Sequence, residues 1–191
     1  MSETPFLILL IGSNPLPNYL ATRLLAPRAV RLVYTPETEG PMKHLRKALH
    51  GIVPNAETRC VSAADCAQIR AVLSDVPNDA HLDYTGGTKV MAAHARMAFR
   101  DAGGEDGRAS YVDERAGVLR RDNGVEVPLT SDETNLTFEV VFELHGCKLR
   151  DRTEREEPLP KAADAGAVLR AVLKDSALAE ALHGHGRRRR D

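Results

Sequence analysis

The chain has 191 residues, room for one domain with a proper core plus an appendage. Its 26 Lys and Arg balance 27 Asp and Glu at a net charge of -1, which excludes a duplex-binding surface built on basic excess. With no Trp and aromatics at 4%, a platform of rings for base stacking is excluded as the main binding device.

The first element is Phe6-Leu7-Ile8-Leu9-Leu10-Ile11, apolar on both faces, as a central parallel strand covered on both sides requires. The run is too short to span a membrane and has no basic leader. Gly12, Ser13, Asn14 and Asn18 follow it, placing polar groups at the carboxyl end of the strand, where open α/β folds take ligands. Helix capping by Ser13, Asn14 or Asn18 explains the same residues equally well. Tyr19, Leu20, Leu24 and Leu25 then keep helical spacing up to Pro27.

Val30 to Tyr34 predicts the second strand, ending at Thr35-Pro36-Glu37-Thr38. Pro41 suits the first turn of the next helix, whose apolar stripe is Met42, Leu45, Leu49 and Ile52. Its other face carries Lys43, His44, Arg46, Lys47 and His50, which serves as a solvated face or draws in an anion. Glu57 to Val61 reads as a third strand. Asp65 closes a capping signal before a helix that buries Ile69, Val72 and Leu73.

Ala80-His81-Leu82 is a short buried strand, and the chain then runs Asp83-Tyr84-Thr85-Gly86-Gly87-Thr88-Lys89-Val90-Met91 into an Ala-rich helix ending near Phe99. Strand, paired glycines and helix make a phosphate- or nucleotide-binding turn in an open sheet. The glycines permit backbone angles and close approach that side chains forbid. The first N–H groups of the helix point outward at an anion. Lys89 opposes the helix dipole there, an arrangement that suits a cation facing a bound anion. An ordinary turn with a solvated lysine is the plainer alternative. The stretch is not a Walker A loop, because the earlier glycine is missing and Val90 follows Lys89.

From Arg108 the texture changes to short strands at Ala109–Asp113, Gly117–Arg120 and Val125–Leu129, with Asn123-Gly124 as a hairpin signal. The expected fold class is α/β: a Rossmann-like, mostly parallel sheet with a C-terminal antiparallel hairpin or meander and a helical extension. Asn135 to His145 fits a strand by its β-branched residues and a helix by the spacing of Leu136, Val140, Val141 and Leu144. Residues 150–160 read as a charged linker between prolines, and residues 162–182 as an amphipathic helix with Val168, Leu169, Val172, Leu173, Leu178 and Leu182 on one stripe. That stripe must be buried against the chain's own core, a second copy of the chain or a partner, and packing between two copies, away from the glycine turn, is the expectation. A basic run, Arg187 to Arg190, closes the sequence. The domain division is 1–130 for the Rossmann-like part and 131–191 for the extension.

Cys60, Cys66 and Cys147 show no C-x-x-C pairing, so neither a disulfide framework nor a zinc ribbon is indicated, and a reducing cytoplasm fits. No G-x-S-x-G, H-E-x-x-H or histidine-carboxylate cluster appears. No catalytic residue is assigned, and neither metal nor cofactor is expected. A dinucleotide enzyme of the common Rossmann type lacks its G-x-G-x-x-G after the first strand.

Tyr84-Thr85-Gly86-Gly87-Thr88-Lys89-x-Met91, Gly12-Ser13-Asn14-x-x-x-Asn18, Tyr34 to Thr38 and Leu144-His145-Gly146 resemble CARF domains, the CRISPR-associated Rossmann fold. The resemblance covers about three quarters of the chain and is strongest to CARF proteins that carry a restriction-type nuclease. It implies a homodimer that binds a cyclic oligoadenylate, preferably of four adenylates, across its groove in type III CRISPR antiviral defence. By the same resemblance Lys89 meets a phosphate, Gly86, Gly87 and Thr88 supply backbone donors, and Ser13, Asn14 and Asn18 reach ribose or base. Gly12, Thr35 and Thr85 complete the expected ligand-binding set. Asp83 stands where such proteins often have asparagine, and residues 151–191 hold no Asp…Glu-x-Lys set for a two-metal nuclease. The alternative to a receptor is a metal-independent ring nuclease that holds a ribose 2′-hydroxyl in line with its phosphate, or the sensor part of a nuclease effector.

Overall fold

The structure is a computed structural model and describes residues 4–130 and 134–147. The expected linker at 150–160, the amphipathic helix at 162–182 and the basic run lie outside the described residues.

Seven strands form one sheet in the order β3-β2-β1-β4-β5-β6-β7. β1 (Phe6–Leu10), β2 (Ala29–Tyr34), β3 (Asn55–Cys60), β4 (His81–Asp83) and β5 (Ala109–Asp113) run parallel, while β6 (Val118–Arg121) and β7 (Glu126–Pro128) return antiparallel. The observed class is the α/β fold expected from the sequence. β1 pairs with β2 on one side and β4 on the other, so the order of strands reverses direction between β1 and β4. A crevice opens at such a switch point, above the carboxyl ends of the strands.

The alternation of β1 divides the core. Leu7 and Leu9 face α1 (Leu16–Leu25) and α2 (Glu39–Ala48), whereas Ile8 and Leu10 face α3 (Cys66–Ala71) and α4 (Lys89–Asp101). Each fully buried Leu or Ile contributes roughly 1.5–3 kcal/mol, and the two-sided burial explains why β1 shows no polar alternation. α1 has Pro17 in its first turn and ends at Ala26, whose φ of 42° is left-handed, before Pro27 stops it. At the hairpin, Gly124 takes φ 87° and donates its N–H to the Arg121 carbonyl, which fulfils the Asn-Gly signal.

Asn135–His145 resolves as a helix, α5 (Phe138–Leu144). Thr137 caps it, its hydroxyl accepting from the Val140 N–H at 3.4 Å. Leu136, Val140 and Leu144, four residues apart, all join the α1–α2 side of the core, with Leu144 1% exposed. Tertiary burial at helical spacing outweighs the β preference of Val140 and Val141. Lys47 of α2 pairs with Glu143 of α5 at 2.7 Å.

Candidate functional site

The site is built where the β1–α1 and β4–α4 connections touch. A Cβ on Gly86 would lie 2.0 Å from the Leu10 carbonyl oxygen and 2.8 Å from the Gly12 nitrogen. Both obstacles are main chain, so only glycine fits. Gly12 is packed reciprocally, its absent Cβ 3.2 Å from the Gly87 nitrogen. Gly87 has the other glycine requirement, a left-handed φ of 76°. The two sequence motifs, with Gly12 and Gly86 74 residues apart on the chain, thus meet at the switch point.

A buried polar network holds the turn from below. Asp83 is 0% exposed, and its Oδ1 accepts from the Thr85 N–H at 3.1 Å and the Thr85 hydroxyl at 2.7 Å. Its Oδ2 accepts from the Ser110 hydroxyl at 3.0 Å, and Ser110 Oγ lies 2.8 Å from His81 Nε2. Burial pushes the Asp83 carboxyl up to about 6 in spite of the Thr85 and Ser110 bonds. Burial pushes His81 down to about 3, with Arg121 and Arg108 adding to the shift, so the imidazole is neutral at pH 7. With Ser110 donating to the carboxylate, the neutral ring donates Nε2–H to Ser110. Ser110 is itself 0% exposed, so this histidine–serine–aspartate chain supports structure and offers no nucleophile.

The turn also carries donors that this network leaves unpaired. The main-chain N–H groups of Gly86, Gly87, Thr88 and Lys89 make no hydrogen bond to the described residues. Thr88 is the N-cap of α4, its hydroxyl accepting from Met91 N–H at 3.2 Å. Lys89 is exposed and has no ion pair among the described residues. Unpaired N–H groups, a helix N-terminus and a lysine are together the chemistry with which a protein can meet an anion such as phosphate. Replacing Thr88 with alanine is expected to cost about 1 kcal/mol by loss of the cap, read as a lower urea midpoint at unchanged m-value.

The other expected residues fall into two groups. Ser13 is exposed beside this contact, and Asn14 accepts from the Leu16 N–H at 3.0 Å in a turn that leads into α1, whose N-cap is Pro15. Asn18 is fully buried: its Nδ2 donates to the Leu10 carbonyl at 3.0 Å, and its buried Oδ1 has no partner. It therefore braces the same carbonyl that Gly86 presses against. Thr85 is spent inward, since its hydroxyl also accepts from Val112 N–H at 2.7 Å. Thr35, 3% exposed, ends β2 one strand beyond β1 and donates its N–H to Thr38 Oγ1 at 3.0 Å.

The part that Asp83, His81 and Ser110 play in holding the turn is not legible in the sequence. The available signal was two polar residues bracketing Leu82 in a strand too short to reach solvent. Equally hidden in the sequence is a strut in which Tyr84 donates to Asp122 at 2.5 Å while Arg96 of α4 pairs with Asp122 and Asp106. That strut ties the turn and α4 to the β6–β7 hairpin. Among the described residues there is no group of three or more histidines, cysteines or carboxylates placed to hold a metal ion, and no helix long and apolar enough to cross a membrane.

An open, mostly parallel sheet with a glycine turn at its switch point defines a ligand-binding α/β domain. Comparison with solved structures makes the class specific. Can2 from Sulfobacillus thermosulfidooxidans, in complex with cyclic tetra-adenylate, matches with a TM-score of 0.65 and 27% identity over 74% of this chain and 41% of that one. A type III CRISPR defence DNA nuclease activated by cyclic oligoadenylate matches with a TM-score of 0.67 and 24% identity over 99% of this chain and 31% of its own. Protein VC1899 from Vibrio cholerae matches at 0.63 and 10% identity over 74% and 39%. The latter two show the fold alone. The chain spans less than half the length of these proteins. No protein-family model matches the sequence, nor does any curated protein. The CARF resemblance stands: the described residues form a CARF-type Rossmann-like domain.

Proposed function

We propose that this protein is a receptor for a cyclic oligoadenylate, the ring lying across a homodimer in type III CRISPR antiviral defence. The observation that carries the reading is the fan of unbonded N–H groups from Gly86 to Lys89 at the switch point of a domain similar to Can2, whose structure holds cyclic tetra-adenylate. In this reading the N–H groups and Lys89 take one phosphate, and Ser13 and Gly12 line the approach to the adjoining nucleotide. Thr88 joins them through its free hydroxyl hydrogen. Asn18, Thr85 and Thr35 act from below by fixing the loops that form the crevice.

The dimer contact is assigned to α4. Val90 and Met97 are 46% and 44% exposed, and Ala93 lies between them on the same helical face. That stripe starts beside Lys89, so a two-fold axis along it presents two equal turns to one symmetric ring. The part of the extension beyond α5, with the apolar stripe at 162–182, would relay closure to an effector, in a cytoplasmic protein with no bound cofactor.

Binding is favoured over ring cleavage because the carboxylate within the turn, Asp83, is fully buried and already accepts three hydrogen bonds. Lys89→Ala provides the test, with cyclic tetra-adenylate and cyclic hexa-adenylate as ligands. Loss of a charge-assisted contact should weaken binding by about 10- to 100-fold. Fold stability should stay equal or rise by a few tenths of a kcal/mol, because a cation leaves a helix N-terminus. Unchanged affinity would place Lys89 outside the site. Chromatography of ligand held for hours with stoichiometric protein should return the intact ring; linear products would replace the receptor by the ring nuclease.

A further inference from the structure

The basic face of α2 lies at the opposite end of the sheet from the glycine turn, and the proposed receptor function makes no use of it. Its C-terminal half, the loop at 51–54 and the start of β3 at Ala56 enclose an open groove of about 580 Å³. Lys43, Arg46, Lys47 and His50 form one wall, and Leu49, Val53 and Pro54 supply an apolar floor. Cations in the last turn of a helix complement its dipole, which accounts for Arg46 and Lys47. It does not account for Lys43 a turn earlier, or for His50 beyond the helix end. Nor does overall composition supply such a cluster, since the chain carries a net charge of -1.

Two acidic residues face the wall. Glu39 lies 2.8 Å from Lys43 and Glu143 2.7 Å from Lys47, in pairs where each lysine is at least 60% exposed. Pairs this exposed are worth about 0–1 kcal/mol and yield readily to a stronger anion. Arg46 and His50 have no ion pair among the described residues.

We propose that this groove is a second site, for single-stranded nucleic acid. The geometry selects that ligand class in two steps. Residues 43, 46, 47 and 50 follow one line of roughly 10 Å along the helix, so their charges do not converge as a single phosphate group requires. A run of phosphodiesters lying along α2 meets them in succession, with sugars over the apolar floor. The groove reaches the open edge of β3 only at Ala56, so its long axis is the helix, which disfavours an acidic peptide pairing with that edge. The groove has no aromatic lining, so binding is weak, indifferent to sequence and strongly dependent on salt.

Fluorescence anisotropy of the full chain with a labelled 15-nucleotide oligothymidylate tests this. With Lys43, Arg46 and Lys47 each neutralising a phosphate, affinity should fall about 20-fold between 50 and 200 mM salt. Arg46→Glu combined with His50→Glu should weaken binding at least tenfold at 50 mM salt, with the thermal midpoint lowered by no more than about 4 °C, as expected for acids placed at a helix C-terminus. A second variant, Arg187 to Arg190 replaced by serine, should retain most of the binding. Absence of binding at 50 mM salt, loss only in the arginine-run variant, or displacement by poly-glutamate as effective as by unlabelled oligonucleotide would each overturn the proposal.

Discussion

Gly86→Ala is expected to abolish ligand binding and to destabilise the fold. The added methyl would overlap the Leu10 carbonyl oxygen at 2.0 Å and crowd the Gly12 nitrogen at 2.8 Å. Neither can rotate away as a side chain would. The Leu10 carbonyl is moreover held by Asn18 Nδ2 at 3.0 Å, so relief requires the two connections to part. Overpacking against fixed atoms costs about 3 kcal/mol, and the thermal midpoint should fall by about 6–12 °C for a chain of this size. Because the unpaired N–H groups depend on that contact, affinity for the ring should drop on the order of 100-fold or more. Gly40→Ala is the control, because a Cβ there meets nothing within 4 Å and the position is helical. It should stabilise by about 0.5–1 kcal/mol. Equal effects of the two substitutions would show that the close approach of the loops does not matter.

The second large effect concerns Asp83 and has a definite sign in pH. Its carboxyl is pushed from 3.8 to about 6 by complete burial, so the folded protein holds this proton more tightly than the unfolded chain does. Stability from this group is therefore greatest below about pH 4 and is lost as pH rises through about 6. A shift of this size corresponds to about 3 kcal/mol. Asp83→Asn removes the titration while keeping the network: the amide oxygen accepts from Thr85, the amide nitrogen donates to Ser110, and the Ser110 hydroxyl turns to His81 Nε2. Asp83→Asn should therefore be more stable than the wild type at pH 7.5 and lack, in its own stability profile, the loss that the wild type shows as pH rises through about 6. Asp83→Ala should be less stable than Asp83→Asn at every pH, since Thr85 and Ser110 lose a buried acceptor. Urea unfolding at pH 4.5, 6.0 and 7.5 measures all three. A wild-type minus Asp83→Asn difference that does not change with pH contradicts the buried-carboxylate account.

Both predictions turn on features the sequence showed only in part. The unbroken apolar run of β1, the Asn123-Gly124 hairpin and the Ala-rich α4 were legible because burial period and turn chemistry are local. The coincidence of Gly12 with Gly86 was legible as two motifs at strand ends, but their contact depends on β4 lying beside β1. Gly86 reads in sequence as a residue that frees a ligand's approach; in the fold the approaching group is the chain's own Leu10 carbonyl. Thr85 and Asn18 read as ligand contacts because their chemistry suits one. Which way a hydroxyl or amide points depends on partners brought from Val112, Ser110 and Leu10, and no spacing rule carries that information. The helix at Phe138–Leu144 stayed ambiguous for the same reason, being decided by packing against α2 and by the core cluster that buries Leu144.

The Asp83 network also explains how a three-residue strand can position a ligand turn. Two hydrogen bonds from Thr85 to Asp83 close the turn on itself, two from Ser110 and Val112 of β5 tie it to that strand, and the Tyr84–Asp122–Arg96 strut links it to the hairpin beyond. Rigid support of this kind leaves the unpaired N–H groups in place before a ligand arrives, which lowers the ordering cost of binding.

Isothermal titration calorimetry with cyclic tetra-adenylate tests the receptor account most directly, because it reads affinity and stoichiometry together. The account predicts saturable binding with one ring for every two chains, weakened in Lys89→Ala and lost in Gly86→Ala. Absence of heat with both the tetra- and hexa-adenylate rings, or binding of one ring per chain that is indifferent to Lys89 and Gly86, would contradict it.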